Sequence, residues 1–162
     1  PLTDLLQHAK QFAWVLLQGH NSEVDETMTY HSNIEIDSLQ LIRRFLEVDS
    51  KSSALLQYPD LIPCLVDFLQ SRDENRLEAA YSLKSILEYG TEENRKAVID
   101  AGVLSSLSSM LRSPKDCIIE VALLLLVDIA TKGTKEHIEA IANNAIIPDL
   151  VGLLDSKHDV VV

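Results

Sequence analysis

The sequence is poor in the residues that break helices or staple small folds together. Its 162 residues include five glycines, five prolines and two cysteines, and only 5% are aromatic. So few cysteines exclude a disulfide-rich miniprotein, and so few turn-forming residues exclude a collagen-like or low-complexity chain. Cys64 and Cys117 both lie within apolar helical patterns and lack metal-site spacing. We therefore expect two reduced, buried cysteines.

Positive charge is also scarce. The chain has 14 basic and 25 acidic residues, a formal net charge of −11, which repels phosphate backbones and anionic lipid. The longest apolar run, Val121 to Val127, is far shorter than the ~20 residues that span a bilayer, and the first residues lack the regions of a signal peptide. We expect no nucleic-acid or membrane partner, a cytoplasmic or nuclear location, and protein or peptide segments as partners, with basic segments as candidates.

Leucine at helical spacing is abundant, and leucine-rich chains with few aromatic residues favour packed helices over sheets. A shift of 43 positions aligns Gly90 with Gly133 and Thr91 with Thr134, and a weaker copy lies upstream from Leu61. Such self-similarity is typical of repeat proteins. The sequence therefore predicts an array of helical units.

Each unit reads as a short, a middle and a long third helix. In the clearest copy these are predicted at Glu92–Asp100, Val103–Leu111 and Asp116–Thr131, with Gly102 allowing a tight bend between the first two. A period of 43 with three helices favours an armadillo-type α-solenoid. The predicted fold is all-α, a right-handed solenoid of about three armadillo repeats.

The predicted organisation along the chain has three parts. Residues 1–18 form an amphipathic helix that caps the first repeat. Residues 19–34 are polar, lack periodicity and are predicted to be a linker. Residues 35–162 hold the repeats, and the last repeat is incomplete because Asp159 aligns with Asp116, the first residue of a third helix.

Catalytic and cofactor-binding patterns are weak. The histidines are scattered, and only His20 and His31 share a segment, without cysteines at zinc-site spacing. The glycines are too widely spaced for a phosphate-binding loop, and no Gly-x-Ser-x-Gly turn occurs. Glu92 and Glu93 open a helix, where acidic side chains favour the positive end of its dipole. We expect no enzymatic activity, no metal and no cofactor.

Two segments of the repeats have a recognisable pattern. Leu77 to Ile86 reads LEAAYSLKSI, and Gly90 to Leu104 reads GTEENRKAVIDAGVL. With these segments, residues 36 to 162 resemble the first armadillo repeats of importin-α, in which the corresponding segments read Glu-Ala-Ala-Trp-x-Leu-x-Asn-Ile and begin with Gly-Thr-x-Glu. The resemblance implies an armadillo fold whose third helices line a groove for a peptide.

The resemblance also implies which positions would contact that peptide. In importin-α a Trp and the Asn four residues later bind the lysine stems and the backbone of a nuclear-localisation peptide. The equivalent pairs here are Tyr81 and Ser85, Leu124 and Asp128, and Gln40 and Arg44. No pair keeps Trp or Asn, so the resemblance implies the scaffold with a changed groove chemistry.

The replacements differ in what they can still bind. Tyr81 can stack on a cation, for ~0.5 to 1 kcal/mol, whereas Ser85 is too short for a bidentate amide contact. Asp128 accepts hydrogen bonds and cannot donate them. Arg44 repels a basic peptide.

Two functional hypotheses remain from the sequence. The first is a non-enzymatic scaffold or adaptor that binds a partner segment along the groove, and the alternative is an importin-α-like nuclear import adaptor for basic peptides. Leu124 and Leu125 are either buried against a neighbouring element or form an apolar anchor for a partner. The predicted groove residues are Gln40, Arg44, Glu78, Tyr81, Ser82, Ser85, Leu124 and Asp128.

Overall fold

The computed structural model describes residues 28–48 and 59–155, and within these ranges the chain forms eight helices and no strand. The all-α prediction is confirmed. The predicted capping helix at residues 1–18, the first part of the linker and residues 156–162 lie outside the described residues. The helices are α1 (Met28–Val48), α2 (Leu61–Phe68), α3 (Asp73–Tyr89), α4 (Glu92–Asp100), α5 (Val103–Leu111), α6 (Asp116–Lys132), α7 (Lys135–Ala142) and α8 (Ile146–Asp155).

Helices α4, α5 and α6 form the predicted three-helix unit, and the predicted bounds are confirmed to within one residue at the end of α6. The hydroxyl of Thr91 caps α4 by accepting a hydrogen bond from the Asn94 amide at 3.3 Å. Between α4 and α5, Gly102 adopts a left-handed conformation with φ of 87°. Side-chain capping and this turn are local signals, which is why the sequence locates the bounds so closely.

The repeated glycine marks a corner where two helices meet. The Gly90 amide donates to the carbonyl oxygen of Ile86 at 2.8 Å, and the Gly133 amide donates to that of Ile129 at 2.9 Å. A Cβ at either glycine would collide with the same carbonyl oxygen. The 43-residue repeat of glycine therefore reflects a close backbone approach at the end of each third helix.

Helix α1 begins at Met28, so the prediction that residues 19–34 form a linker is wrong for its last seven residues. Four of those residues, Thr29, His31, Ser32 and Asn33, are polar, and the regular apolar periodicity begins only at Ile36. Leu39 and Leu46 anchor the later part of the helix in the core. Once a helix is anchored, each added residue gains a backbone hydrogen bond without a new nucleation step.

The three third helices lie side by side, with α3 packed between α1 and α6. Their inward side chains, such as Leu83, Ile86 and Leu125, are fully or almost fully buried in one continuous apolar core. The middle helices α5 and α8 also pack on each other. Stacking of equivalent helices is how a solenoid buries its core.

The two cysteines differ in environment. Cys64 is half-buried, and burial raises the pKa of its thiol to about 11. Cys117 is exposed near the start of α6, so the expectation that it is buried is wrong. The apolar pattern of α6 includes this position, but none of the described helices covers it.

Candidate partner-binding groove

The outward side of the three parallel third helices is the candidate groove, which we call the third-helix face. Its positions are three or four residues apart and so share one side of each helix. On α1 and α3 most of its side chains are charged, whereas on α6 two are apolar. The third-helix face consists of Gln40, Arg43, Arg44 and Glu47 on α1, Glu78, Tyr81, Lys84 and Glu88 on α3, and Leu124, Val127, Asp128, Thr131 and Lys132 on α6.

Five of the predicted residues are accessible on this face. Gln40 and Arg44 are exposed on α1, and Glu78 and Tyr81 are partly exposed on α3. Leu124 is 38% exposed on α6, whereas the predicted Asp128, one turn later, is only 9% exposed and contributes to the face through its ion pair with Lys132. The alignment of repeats therefore brings residues from three helices onto one surface.

The prediction that Ser82 and Ser85 face outward is wrong, because both are buried. The Ser82 hydroxyl donates to the carbonyl oxygen of Glu78 at 2.8 Å, and the Ser85 hydroxyl donates to that of Tyr81 at 3.2 Å. Both hydroxyl groups are thus satisfied within α3. Small side chains at these positions let the neighbouring third helices pack closely.

The structure separates the two alternatives for Leu124 and Leu125. Leu125 is fully buried in the core, whereas Leu124 is exposed. Val127, one turn after Leu124, is 58% exposed. The burial alternative holds for Leu125, and the apolar surface of α6 consists of Leu124 and Val127.

Arg43, which is not among the predicted groove residues, is central to the third-helix face. Arg43 Nε lies 2.9 Å from Glu47 Oε1, and Arg43 Nη1 lies 3.1 Å from Glu78 Oε2. Its guanidinium carbon lies 5.2 Å from the centroid of the Tyr81 ring. Tyr81, predicted to stack on a cation, therefore already faces one from its own chain. The spacing of Arg43 and Glu47 predicts their ion pair, but nothing in the sequence indicates the contacts with α3.

Two further ion pairs lie on the face, one within α3 and one within α6. Lys84 Nζ lies 2.5 Å from Glu88 Oε2, and Lys132 Nζ lies 2.6 Å from Asp128 Oδ1. Hydrogen bonding to Glu88 raises the pKa of Lys84, and the nearby Asp128 carboxylate adds to this. Hydrogen bonds from Lys84 and then Tyr89 lower the pKa of Glu88, with a smaller effect of the Lys132 charge. The four charged groups thus stabilise one another across the two helices.

The carboxylates of the third-helix face are therefore all paired with cations of the same chain. Glu47 and Glu78 contact Arg43, Glu88 contacts Lys84, and Asp128 contacts Lys132. The net charge of −11 consequently does not translate into free carboxylates on this face. The exposed Glu120, one turn before Leu124, is the nearest carboxylate on α6 without an ion pair to a described residue.

No group of three or more His, Cys, Asp or Glu side chains in residues 28–48 and 59–155 is placed to hold a metal ion. Within the same ranges, no helix combines the length and the apolarity that crossing a bilayer requires.

Sequence comparison finds similarity to plant importin subunits, although no protein-family model matches the chain. Importin subunit alpha-8 of Arabidopsis thaliana is 27% identical over 103 residues, which cover 64% of this chain and 23% of that protein. Importin subunit alpha-1b of Oryza sativa subsp. japonica is 25% identical over 135 residues, covering 82% and 25%. The chain spans about a quarter of the length of these curated relatives.

Structure comparison finds designed armadillo proteins. A computationally designed armadillo repeat protein for modular peptide recognition has a TM-score of 0.70 at 21% identity, covering 90% of this chain and 56% of that one. A designed armadillo repeat protein in complex with the peptide (KR)4 has a TM-score of 0.66 at 22% identity, covering 91% and 57%. At these identities the likeness concerns the fold. Together with the repeated three-helix unit, the comparisons show an armadillo-repeat fold and a sequence similarity to importin alpha subunits.

Proposed function

We propose that this chain is a non-enzymatic scaffold that binds a segment of a partner protein along the third-helix face, with an apolar side chain of the partner placed on Leu124 and Val127. The observation that carries the proposal is the exposure of these two residues, 38% and 58%, on a helix whose other apolar side chains are mostly buried. Burying one aliphatic side chain of the partner contributes roughly 1.5 to 3 kcal/mol.

The surroundings of Leu124 and Val127 favour such an anchor. Asp128 and Lys132 are paired with each other beside them, so an apolar ligand need not separate a free charge from water. The Thr131 hydroxyl donates to the carbonyl oxygen of Val127 at 2.7 Å and is also satisfied. Apolar side chains among satisfied polar groups are typical of binding surfaces.

The similarities support binding of a peptide segment by this fold. One structural neighbour was designed for modular peptide recognition, and another holds the peptide (KR)4. The importin relatives also support a non-enzymatic role and a location in the cytoplasm or the nucleus.

The second candidate is an importin-α-like nuclear import adaptor for basic peptides. Its support is the similarity to two importin alpha subunits. Two observations weigh against it: the Trp and Asn positions are changed, and Arg43 already faces Tyr81 at 5.2 Å. We therefore rank this function below the scaffold that binds an apolar side chain at Leu124 and Val127.

The test compares partner capture by the whole chain and by Leu124→Asp. We expect the proteins captured through the third-helix face to be lost in this variant, while circular dichroism and the melting temperature stay unchanged. Leu154→Asp is the matched control, because Leu154 is 85% exposed on α8, away from the face. An unchanged set of captured proteins with Leu124→Asp would contradict the proposal.

Peptide-binding titrations distinguish the import adaptor from the scaffold with an apolar anchor. A basic-peptide receptor would bind lysine-rich peptides with a steep salt dependence and would lose affinity with Tyr81→Ala. An apolar anchor predicts weak salt dependence and sensitivity to Leu124→Asp.

A further inference from the structure

Three groups of the third-helix face converge on the Arg43 side chain. The Glu47 carboxylate approaches its Nε at 2.9 Å, the Glu78 carboxylate approaches its Nη1 at 3.1 Å, and the Tyr81 ring lies 5.2 Å from its guanidinium carbon. Two carboxylates and an aromatic face are what a site for an arginine or lysine side chain provides. The arrangement is a cation-binding subsite filled by a residue of the same chain.

We infer that Arg43 is a specificity-determining residue, which occupies this subsite and excludes lysine- and arginine-rich segments from the third-helix face. The inference rests on the proposed function, since it concerns which partner segments the face accepts. Arg43 belongs to α1, and Glu78 and Tyr81 belong to α3, so the packing of these helices keeps the cation in place.

A cation from an incoming peptide is at a disadvantage when it competes with Arg43 for the subsite. Arg43 is tethered beside the subsite, so its effective concentration is far above that of a free peptide. Displacing it would separate a guanidinium from two carboxylates, and the incoming peptide would also meet the exposed charge of Arg44. A guanidinium fits two carboxylates and a ring better than an ammonium does, because it is planar and has five donors.

The rest of the face offers a basic peptide little compensation. Lys84 and Lys132 already hold Glu88 and Asp128. At the position equivalent to Tyr81 in the next repeat, Leu124 has no polar group for a cation. The intramolecular cations therefore leave apolar contact as the main attraction of the face.

The test uses labelled (KR)4 as the probe, because a designed armadillo neighbour holds that peptide. Binding is measured by fluorescence anisotropy to the whole chain and to Arg43→Met, which removes the charge and keeps an unbranched stem. We expect Arg43→Met to bind the probe about tenfold more tightly than the original chain does. Adding Tyr81→Ala to Arg43→Met should remove this gain.

Arg44→Met is the matched control. It changes the net charge by the same amount on the same helix, but Arg44 is exposed and forms no ion pair with the described carboxylates of the subsite. We expect it to gain much less affinity than Arg43→Met. An equal gain in both variants would overturn the inference, because general charge repulsion would then explain the result.

Two further measurements decide the inference if Arg43→Met misfolds. Arg43→Gln should gain affinity for (KR)4, whereas Arg43→Lys, which keeps a cation in the subsite, should gain much less. Tight binding of (KR)4 by the original chain, lost with Tyr81→Ala, would overturn the inference. Partner capture sensitive to Leu124→Asp would still support the proposed function in that case, so the two failures are distinguishable.

Discussion

Asp149 of α8 and Arg112, the residue that follows α5, form a two-point ion pair between consecutive repeats. Arg112 Nε lies 2.8 Å from Asp149 Oδ1, and Arg112 Nη2 lies 3.0 Å from Asp149 Oδ2. The Ser108 hydroxyl donates to the same Oδ2 at 2.6 Å. Ile146 is the one residue of α8 that is buried. The polar contacts of Asp149 therefore supplement a small apolar interface.

The Asp149 contacts predict a pH-dependent contribution to stability. Hydrogen bonds from Arg112 and then Ser108 lower the pKa of Asp149 in the folded state. The folded state therefore binds this proton less readily than the unfolded state, and the contribution is fully present above the ordinary carboxyl pKa and disappears as the pH falls through the lower folded value. We expect Asp149→Asn to lower the melting temperature at pH 7 and to have a smaller effect near pH 3.

Glu120→Gln provides the control for this experiment. Glu120 is exposed on α6 and forms no ion pair with a described residue. Its replacement should change the melting temperature little at either pH. A loss for Asp149→Asn that is equal at both pH values would contradict the predicted linkage.

Leu124 and Leu125 are adjacent in the chain, but their truncation should change the free energy of unfolding by very different amounts. Leu125→Ala removes a fully buried side chain, which costs about 3 kcal/mol because the core is left with a cavity. Leu124→Ala removes an exposed one and should change the free energy of unfolding by less than about 1 kcal/mol. Urea denaturation measures both, and similar losses would show that α6 is rotated from the orientation described.

Gly102 tests the turn between α4 and α5. Its φ of 87° is unfavourable for residues with a Cβ, although a Cβ there would meet no atom within 4 Å. Gly102→Ala should therefore lower the free energy of unfolding by about 1 kcal/mol through backbone strain alone. Gly102→Asn should cost less, since Asn tolerates the left-handed region. Thermal melts that rank Asn below Ala would contradict this account.

Substitution of Ser82 tests whether this predicted groove residue takes part in binding. Its hydroxyl is buried and bonds only to the Glu78 carbonyl oxygen among the contacts described. Ser82→Ala leaves that carbonyl with its helical amide donor and should change stability by no more than about 0.5 kcal/mol. We also expect no change in partner capture. A loss of capture would show that Ser82 contributes to the binding surface.

The helical fold, the repeat and the bounds of α4 and α5 follow from the order of residues alone. The signals for these features are local: Thr91 caps a helix, Gly102 permits a left-handed turn, and glycine recurs where a third helix ends. The same period also located the equivalent positions of Tyr81 and Leu124. Local signals did not reveal the start of α1 at Met28, because a segment without regular apolar periodicity extends that helix from an anchored core.

The packing of neighbouring helices determines which side chains of the third helices are accessible and which cations are held in ion pairs. Arg43 and Arg44 are identical neighbours in sequence, yet successive helical residues point about 100° apart, and Arg43 is the one that reaches Glu78 on α3. The separation of Leu124 from Leu125 and the burial of Ser82 have the same origin. Each depends on a helix that packs alongside from another repeat, and the local pattern does not specify which side of a helix that neighbour covers.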